Sequence, residues 1–181
     1  MIIARERKKE NLAEYIIYMW QLEDMLRGLN LDINEIDKCV VSAYRVDENR
    51  KKEIRDWYEN LIEMMKQEKI EKSGHLQVVK NSVNELTELH FYLLHTVHDP
   101  KYHHLVTQAI QNFIDFRKRA GVSDEISDIE LALNGLYGSL MLRLKGEEVS
   151  KETKQAMESF SRVLAYLAMK YKQMEEEDKK A

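Results

Sequence analysis

All six histidines of the 181-residue chain fall between His75 and His104, on either side of Pro100, its single proline. Imidazoles at this density suggest two chemistries: ligation of a divalent cation through a neutral ring nitrogen, and pH sensing by clustered rings that charge near neutral pH. Both require the rings to converge, and helix geometry decides which rings can. At about 100° per residue, the segment before the proline carries an apolar stripe of Leu76, Val79, Val83, Leu86, Leu93 and Val97 with His90 in its middle. His90 therefore reads as a core histidine with one ring nitrogen satisfied by a neighbour. His95 lies on the polar face with Asn81, Asn84 and Glu88, adjoining His98, with Glu88 two turns earlier on nearly the same line. Beyond the proline, Tyr102, Leu105, Val106, Ala109, Ile110, Phe113 and Phe116 form the inward face, which puts His104 outside and His103 on the shoulder. The set that could hold a divalent metal is thus Glu88, His95, His98 and His103, at the tip of a hairpin. The plain alternative is a solvated tip with no cofactor.

Two further groups could bind a ligand. In the first helical stretch, Glu23 sits at the edge of the main apolar stripe while Trp20 and Asp24 lie on the other side. At least one carboxylate there should be partly buried, and a buried acid needs a pair or a hydrogen bond; Lys or Arg from the third helix, or a Tyr hydroxyl, would serve. Later in the chain, Gly135 and Gly138 share one helix face with Ala132 and Ser139 beside them. Each glycine costs about 1 kcal/mol of helix propensity, which is sensible where a neighbouring backbone approaches closely; a ligand resting on bare backbone is the functional alternative.

Other catalytic sets are missing. No Glu is followed three residues on by His, which excludes the di-iron bundles. There is no phosphate-cradling glycine loop and no Ser or Cys in a nucleophile context. Cys39, on a short helix beside Lys38, is expected to be packed rather than reactive.

These residues must be positioned by helices. Apolar residues recur every three or four positions nearly throughout, with six glycines as punctuation. The expected helices cover about Ile3 to Arg27, Ile33 to Tyr44 (a short one, opened by Asp32), Asp47 to Glu71, a fourth ending near His98, a fifth from Asp99-Pro100 to Gly121, a sixth from Ser123-Asp124-Glu125 to Gly146, and a seventh capped by Ser150. The sixth, apolar on both sides, is expected to be central, and the seventh to bury residues as far as Met174. Six long helices and one short one, joined by brief connections, read as an all-α, up-down antiparallel bundle. One domain over residues 1–174 is expected, followed by a charged tail, 175–181, with nothing to bury.

A formal charge of -4 and a pI near 5.9 make nucleic-acid binding an unpromising role. The local basic runs are Arg5, Arg7, Lys8 and Lys9, diluted by Glu6 and Glu10, and Arg117-Lys118-Arg119, which sits where cations favour a helix C-terminus. The lone Cys39 fits a reducing, cytoplasmic setting. No signal peptide is expected at the N-terminus, and the uncharged run from Leu131 to Leu142 is too short to cross a bilayer.

The run Tyr15-Ile16-Ile17-Tyr18-Met19-Trp20-Gln21-Leu22-Glu23-Asp24 resembles the opening of a family of uncharacterised Bacteroidetes proteins of about the same length, grouped as a domain of unknown function. The resemblance implies a bacterial, cytoplasmic, single-domain protein and brings no catalytic residues with it. The expected function is accordingly non-catalytic: a helical bundle acting through protein contacts, with a homodimer as one form. The alternative is a bundle that binds a metal or small molecule through the hairpin histidines.

Overall fold

Asn11 decides how the chain begins. In the computed structural model, which describes residues 2–123 and 125–179 without the side chains of Ile2, Ile3 and Arg5, Asn11 has extended backbone angles (φ -154°, ψ 103°). Its side chain accepts from the Glu14 N–H and caps a new helix. The expected first helix is therefore two, α1 (Ile2–Glu10) and α2 (Leu12–Gly28). Arg7 lies 4.9 Å over the ring of Tyr18, whereas a straight helix would hold the two about 16 Å apart along its axis. Asp124, the Arg5 side chain, Lys180 and Ala181 lie outside the described residues.

The remaining helices are α3 (Ile33–Cys39), α4 (Glu48–Gln67), α5 (Gln77–His95), α6 (Pro100–Ala120), α7 (Asp128–Leu144) and α8 (Lys151–Asp178), with a short 3-10 turn at Val41–Ala43. The fold is all-α: among the described residues there are eight α-helices and no strand. Side-chain caps set most of the starts, from Asp32, Asp47, Asp99, Ser127 and Ser150. Gly121, at φ 62°, ends α6 in the left-handed conformation that glycine adopts without a Cβ penalty. No helix among the described residues is long and apolar enough to cross a membrane.

The core lies where α2, α5, α7 and α8 meet, with α6 closing one side against α5, α7 and α8. α4 stands apart from this group, packed on α3 and the 3-10 turn, and buries Tyr58, Leu61, Ile62 and Met65. α7 is central for its first half only: Ile129, Leu131, Ala132, Leu133 and Gly135 are buried, while Leu142 and Leu144 are exposed. The two-sided apolar pattern of α7 is thus not matched by burial on both sides along its length.

Some expected positions change for local reasons. Val97 is exposed because α5 ends at His95, so Val97 no longer follows the helical stripe. Ile110 faces outward from α6, Met174 outward from α8, and Cys39 is exposed at the end of α3. α8 continues through Asp178, past the expected start of the tail at 175, with Glu175, Glu176, Glu177 and Asp178 all exposed.

Candidate functional site

The histidine hairpin was the sharpest expectation. His90 is buried on α5 with Nδ1 2.6 Å from the Tyr102 hydroxyl. Burial pushes its pKa below the usual histidine value, so the ring is a neutral core group. His95 is exposed and stacks on Phe91, with ring centres 6.1 Å apart. His98 lies beyond the end of α5 with φ 53°, a left-handed residue that has left the helical register. His103 pairs with the Thr107 hydroxyl at 3.4 Å and His104 with the Gln108 amide at 3.0 Å. The line of Glu88, His95 and His98 depended on one continuous helix, and that helix stops too early. Among the described residues, no group of three or more His, Cys, Asp or Glu side chains is placed to hold a metal ion, and Glu88, His95, His98 and His103 form no such group.

The hairpin instead contains a clamp. Asp99 caps α6 by accepting from the N–H groups of Lys101 (3.1 Å) and Tyr102 (2.9 Å). The Tyr166 hydroxyl donates to the same carboxylate at 3.0 Å, and Lys170 Nζ lies 3.2 Å from it, so α8 is tied to the start of α6. The Tyr102 N–H, then Lys170 and Tyr166, hold the Asp99 carboxyl below the usual range against the opposing effect of its desolvation.

Around α2, three of the named residues do meet. Glu23 is 1% exposed, with one oxygen 2.6 Å from His75 Nδ1 and the other accepting from the Leu76 N–H at 3.0 Å. The partner is a histidine and a backbone amide in the α4–α5 connection, not a cation from α4 or a tyrosine. Trp20 stacks on His75, ring centres 4.6 Å apart, and meets Tyr137 of α7 edge-on. Asp24 accepts from Arg27 at 2.8 Å and from the Tyr137 hydroxyl. Arg27 also donates to the carbonyls of Ile70 and Gly74. The indole N–H of Trp20 is buried and without a hydrogen-bond partner among the described residues. With both Glu23 oxygens occupied, this cluster fastens α2 to the α4–α5 connection and to α7.

The two glycines separate. A Cβ on Gly135 would lie 3.0 Å from Met157 Cε and 3.1 Å from Phe116 Cζ, so side chains, not a neighbouring backbone, fill that space. Gly138 is exposed, with nothing within 4 Å of the place a Cβ would take.

A wide groove lies elsewhere. α1, Tyr15 of α2, the stretch after the 3-10 turn, α4 and the end of α8 enclose a groove of about 1090 Å³. Its floor is aromatic and aliphatic: Tyr15, Tyr44, Ile54, Trp57 and Tyr171. Five cations (Lys8, Lys9, Arg50, Lys172, Lys179) and four carboxylates (Glu10, Glu53, Glu175, Glu176) line it as well. Tyr171 is fixed by donating to Glu85 at 2.8 Å. Burial, then the charges of Glu23 and Glu85, push the pKa of Tyr15 up. Ile54, Trp57 and Tyr171 are each half-buried, because the groove leaves that side of α4 uncovered.

With this geometry in view, comparison with known families is decisive on one point. Residues 1–178 match the family described as Domain of unknown function (DUF4924). The chain belongs to that family. No curated protein and no solved structure matches it. In this DUF4924 chain, the stretch Tyr15–Asp24 begins at the groove floor with Tyr15 and ends in the cluster around His75 and Tyr137 with Trp20, Glu23 and Asp24. One helix of the DUF4924 domain thus connects the open groove to the buried Glu23–His75 pair.

Proposed function

We propose that the chain is a non-catalytic binding bundle whose α1/α4/α8 groove takes an amphipathic helical segment of a protein partner. The supporting observation is the groove's composition, an aromatic floor flanked by side chains of both signs. A site for a small anion or cation would carry one sign of charge, and pockets for small molecules have volumes of about 300–1,000 Å³. At about 1090 Å³ the groove lies just above that range, which suits an extended guest, and a helix is about 10–12 Å across. Helix-in-groove recognition places apolar anchors at i, i+3, i+4 and i+7 on such a floor. Tyr and Trp give large contact areas at low entropic cost, while the charged rim sets orientation.

The setting proposed with this role is a bacterial cytoplasm, that of the Bacteroidetes which the resemblance of the Tyr15–Asp24 run implies. The free, exposed Cys39 is compatible with a reducing compartment. The test is photo-cross-linking in the native host from a phenylalanine analogue at Val46, an exposed residue on the groove wall. The expected result is a discrete adduct whose captured segment has helical apolar spacing, and which is lost on Trp57→Glu. Equal capture from the same analogue at Gln108, remote on α6, would contradict the proposal.

A further inference from the structure

α4 is held unevenly along its length. Its buried residues, Tyr58, Leu61, Ile62 and Met65, all lie in its second half. The same end is pinned from α2: Arg27 donates to the carbonyls of Ile70 and Gly74 just beyond the helix, and Glu23 takes His75 and the Leu76 N–H. Residues 48–57, the first half, contain no buried residue, and Ile54 and Trp57, the apolar side chains there, are half-buried. Among the described residues, no hydrogen bond or ion pair joins residues 45–57 to another element. Their bonds are local: the Asp47 cap on the Arg50 N–H, Lys51 to Glu48, and Arg55 to Glu59 within α4. At the two ends of this segment, the Tyr44 and Tyr58 hydroxyls lie 3.5 Å apart, so it leaves and rejoins the packed body at one place.

We infer that residues 45–57 form a strap that melts and re-forms while the rest of the fold stays closed, opening one wall of the α1/α4/α8 groove. A helical stretch this short is marginal in water unless tertiary packing supports it, and only Ile54 and Trp57 supply such packing here. Segments with few buried contacts open at a small fraction of the global unfolding free energy. Re-forming is easy for a physical reason: residues 58–67 remain helical, so each recovered turn extends an existing helix and needs no new nucleus.

The strap supplies Val46, Arg50, Glu53, Ile54 and Trp57 to the groove lining. Its opening widens access to the floor at Tyr15 and Tyr171, and an occupant lying against Ile54 and Trp57 adds the packing that the strap lacks. The groove is then a site whose wall closes on its guest. That consequence rests on the reading of the groove as a helix-binding site, whereas the opening of the free chain does not.

Amide hydrogen exchange of the free, full-length chain, read residue by residue by NMR, tests the strap without any guest. A failure of partner capture at Val46 therefore leaves this result standing, and the reverse also holds. Amides of residues 52–57 are expected to exchange about a hundred-fold faster than those of 61–66, with the step near Tyr58. Asp47→Ala, which removes the cap, should speed 52–57 further by about five-fold and leave 61–66 and α5 unchanged. Simple end fraying gives a different profile, with full protection regained by the second turn of α4. That profile, equal protection in the two halves, or an Asp47→Ala variant that speeds all of α4 alike overturns the inference.

Discussion

The carboxylate of Glu23 lies 2.6 Å from Nδ1 of His75, joining α2 to the connection between α4 and α5 across 52 residues of chain. Its other oxygen accepts the Leu76 N–H, so the buried acid is satisfied twice by one short segment. Removing either side chain leaves a polar group without its partner in a place that water scarcely reaches. The His75 side chain keeps a third of its surface exposed, which moderates the loss.

His75→Ala is therefore expected to destabilise the fold by about 2 kcal/mol, below the larger figures for fully buried pairs. Urea unfolding measures this. In a double-mutant cycle with Glu23→Gln the double variant should lose less than the sum of the two single losses, because one interaction is counted in both; strict additivity would mean that the contact contributes nothing.

The depressed pKa of His90 gives a stability change with a definite sign. Its native pKa lies below the unfolded value near 6.5, so between the two the unfolded chain binds a proton that the native chain does not. Stability falls as the pH drops from about 6.5 toward the native pKa and is flat for this group above it. Urea midpoints at about pH 5 and about pH 7.5 should differ in that direction, and His90→Gln should reduce the difference.

Asp99 acts in a lower window. Its native carboxyl titrates below the usual range, so its contribution is present above the unfolded carboxylate value and is lost as the pH falls through the native one. Asp99→Ala removes the cap and the contacts to Tyr166 and Lys170 and should cost about 2 kcal/mol at neutral pH. Asp99→Asn keeps a capping oxygen and should cost less, while flattening the acid limb below about pH 4.

The hairpin start was legible because cap, proline and boundary are neighbours: Asp99-Pro100 encodes its geometry locally. Asn11 with Glu14 is the same kind of local signal, but the apolar spacing ran on through it and hid the break between α1 and α2. His98 misled for a related reason. A periodic pattern does not announce the residue at which the chain turns left-handed, so Glu88, His95 and His98 looked aligned. Trp20, Glu23 and Asp24 were visible as a polar intrusion into an apolar helix, whereas His75 as the partner of Glu23 was not, since nothing local links residues in different elements. The α1/α4/α8 groove was hidden altogether. Trp57 and Tyr171 follow core spacing, and only the folded arrangement leaves them half covered.

The two glycines of α7 should respond oppositely. Gly138→Ala adds a methyl where nothing lies within 4 Å, so the helix gains about 0.5–1 kcal/mol. Gly135→Ala drives its methyl to 3.0 Å from Met157 and 3.1 Å from Phe116, and repacking should offset that gain or exceed it. Thermal unfolding of the two variants decides it: a Gly135→Ala variant stabilised as much as Gly138→Ala would show that the contact yields freely.

The most direct measurement of the groove's role uses its own tryptophan. The chain has two, and Trp20 is 2% exposed and stacked on His75, so a spectral change on binding reports Trp57. Titrating the full chain with a synthetic peptide of the segment cross-linked from Val46 should give a saturable, one-to-one blue shift, absent in Ile54→Glu. An unchanged spectrum at saturating peptide, or the same shift in Ile54→Glu, would contradict the account of the α1/α4/α8 groove as a helix-binding site.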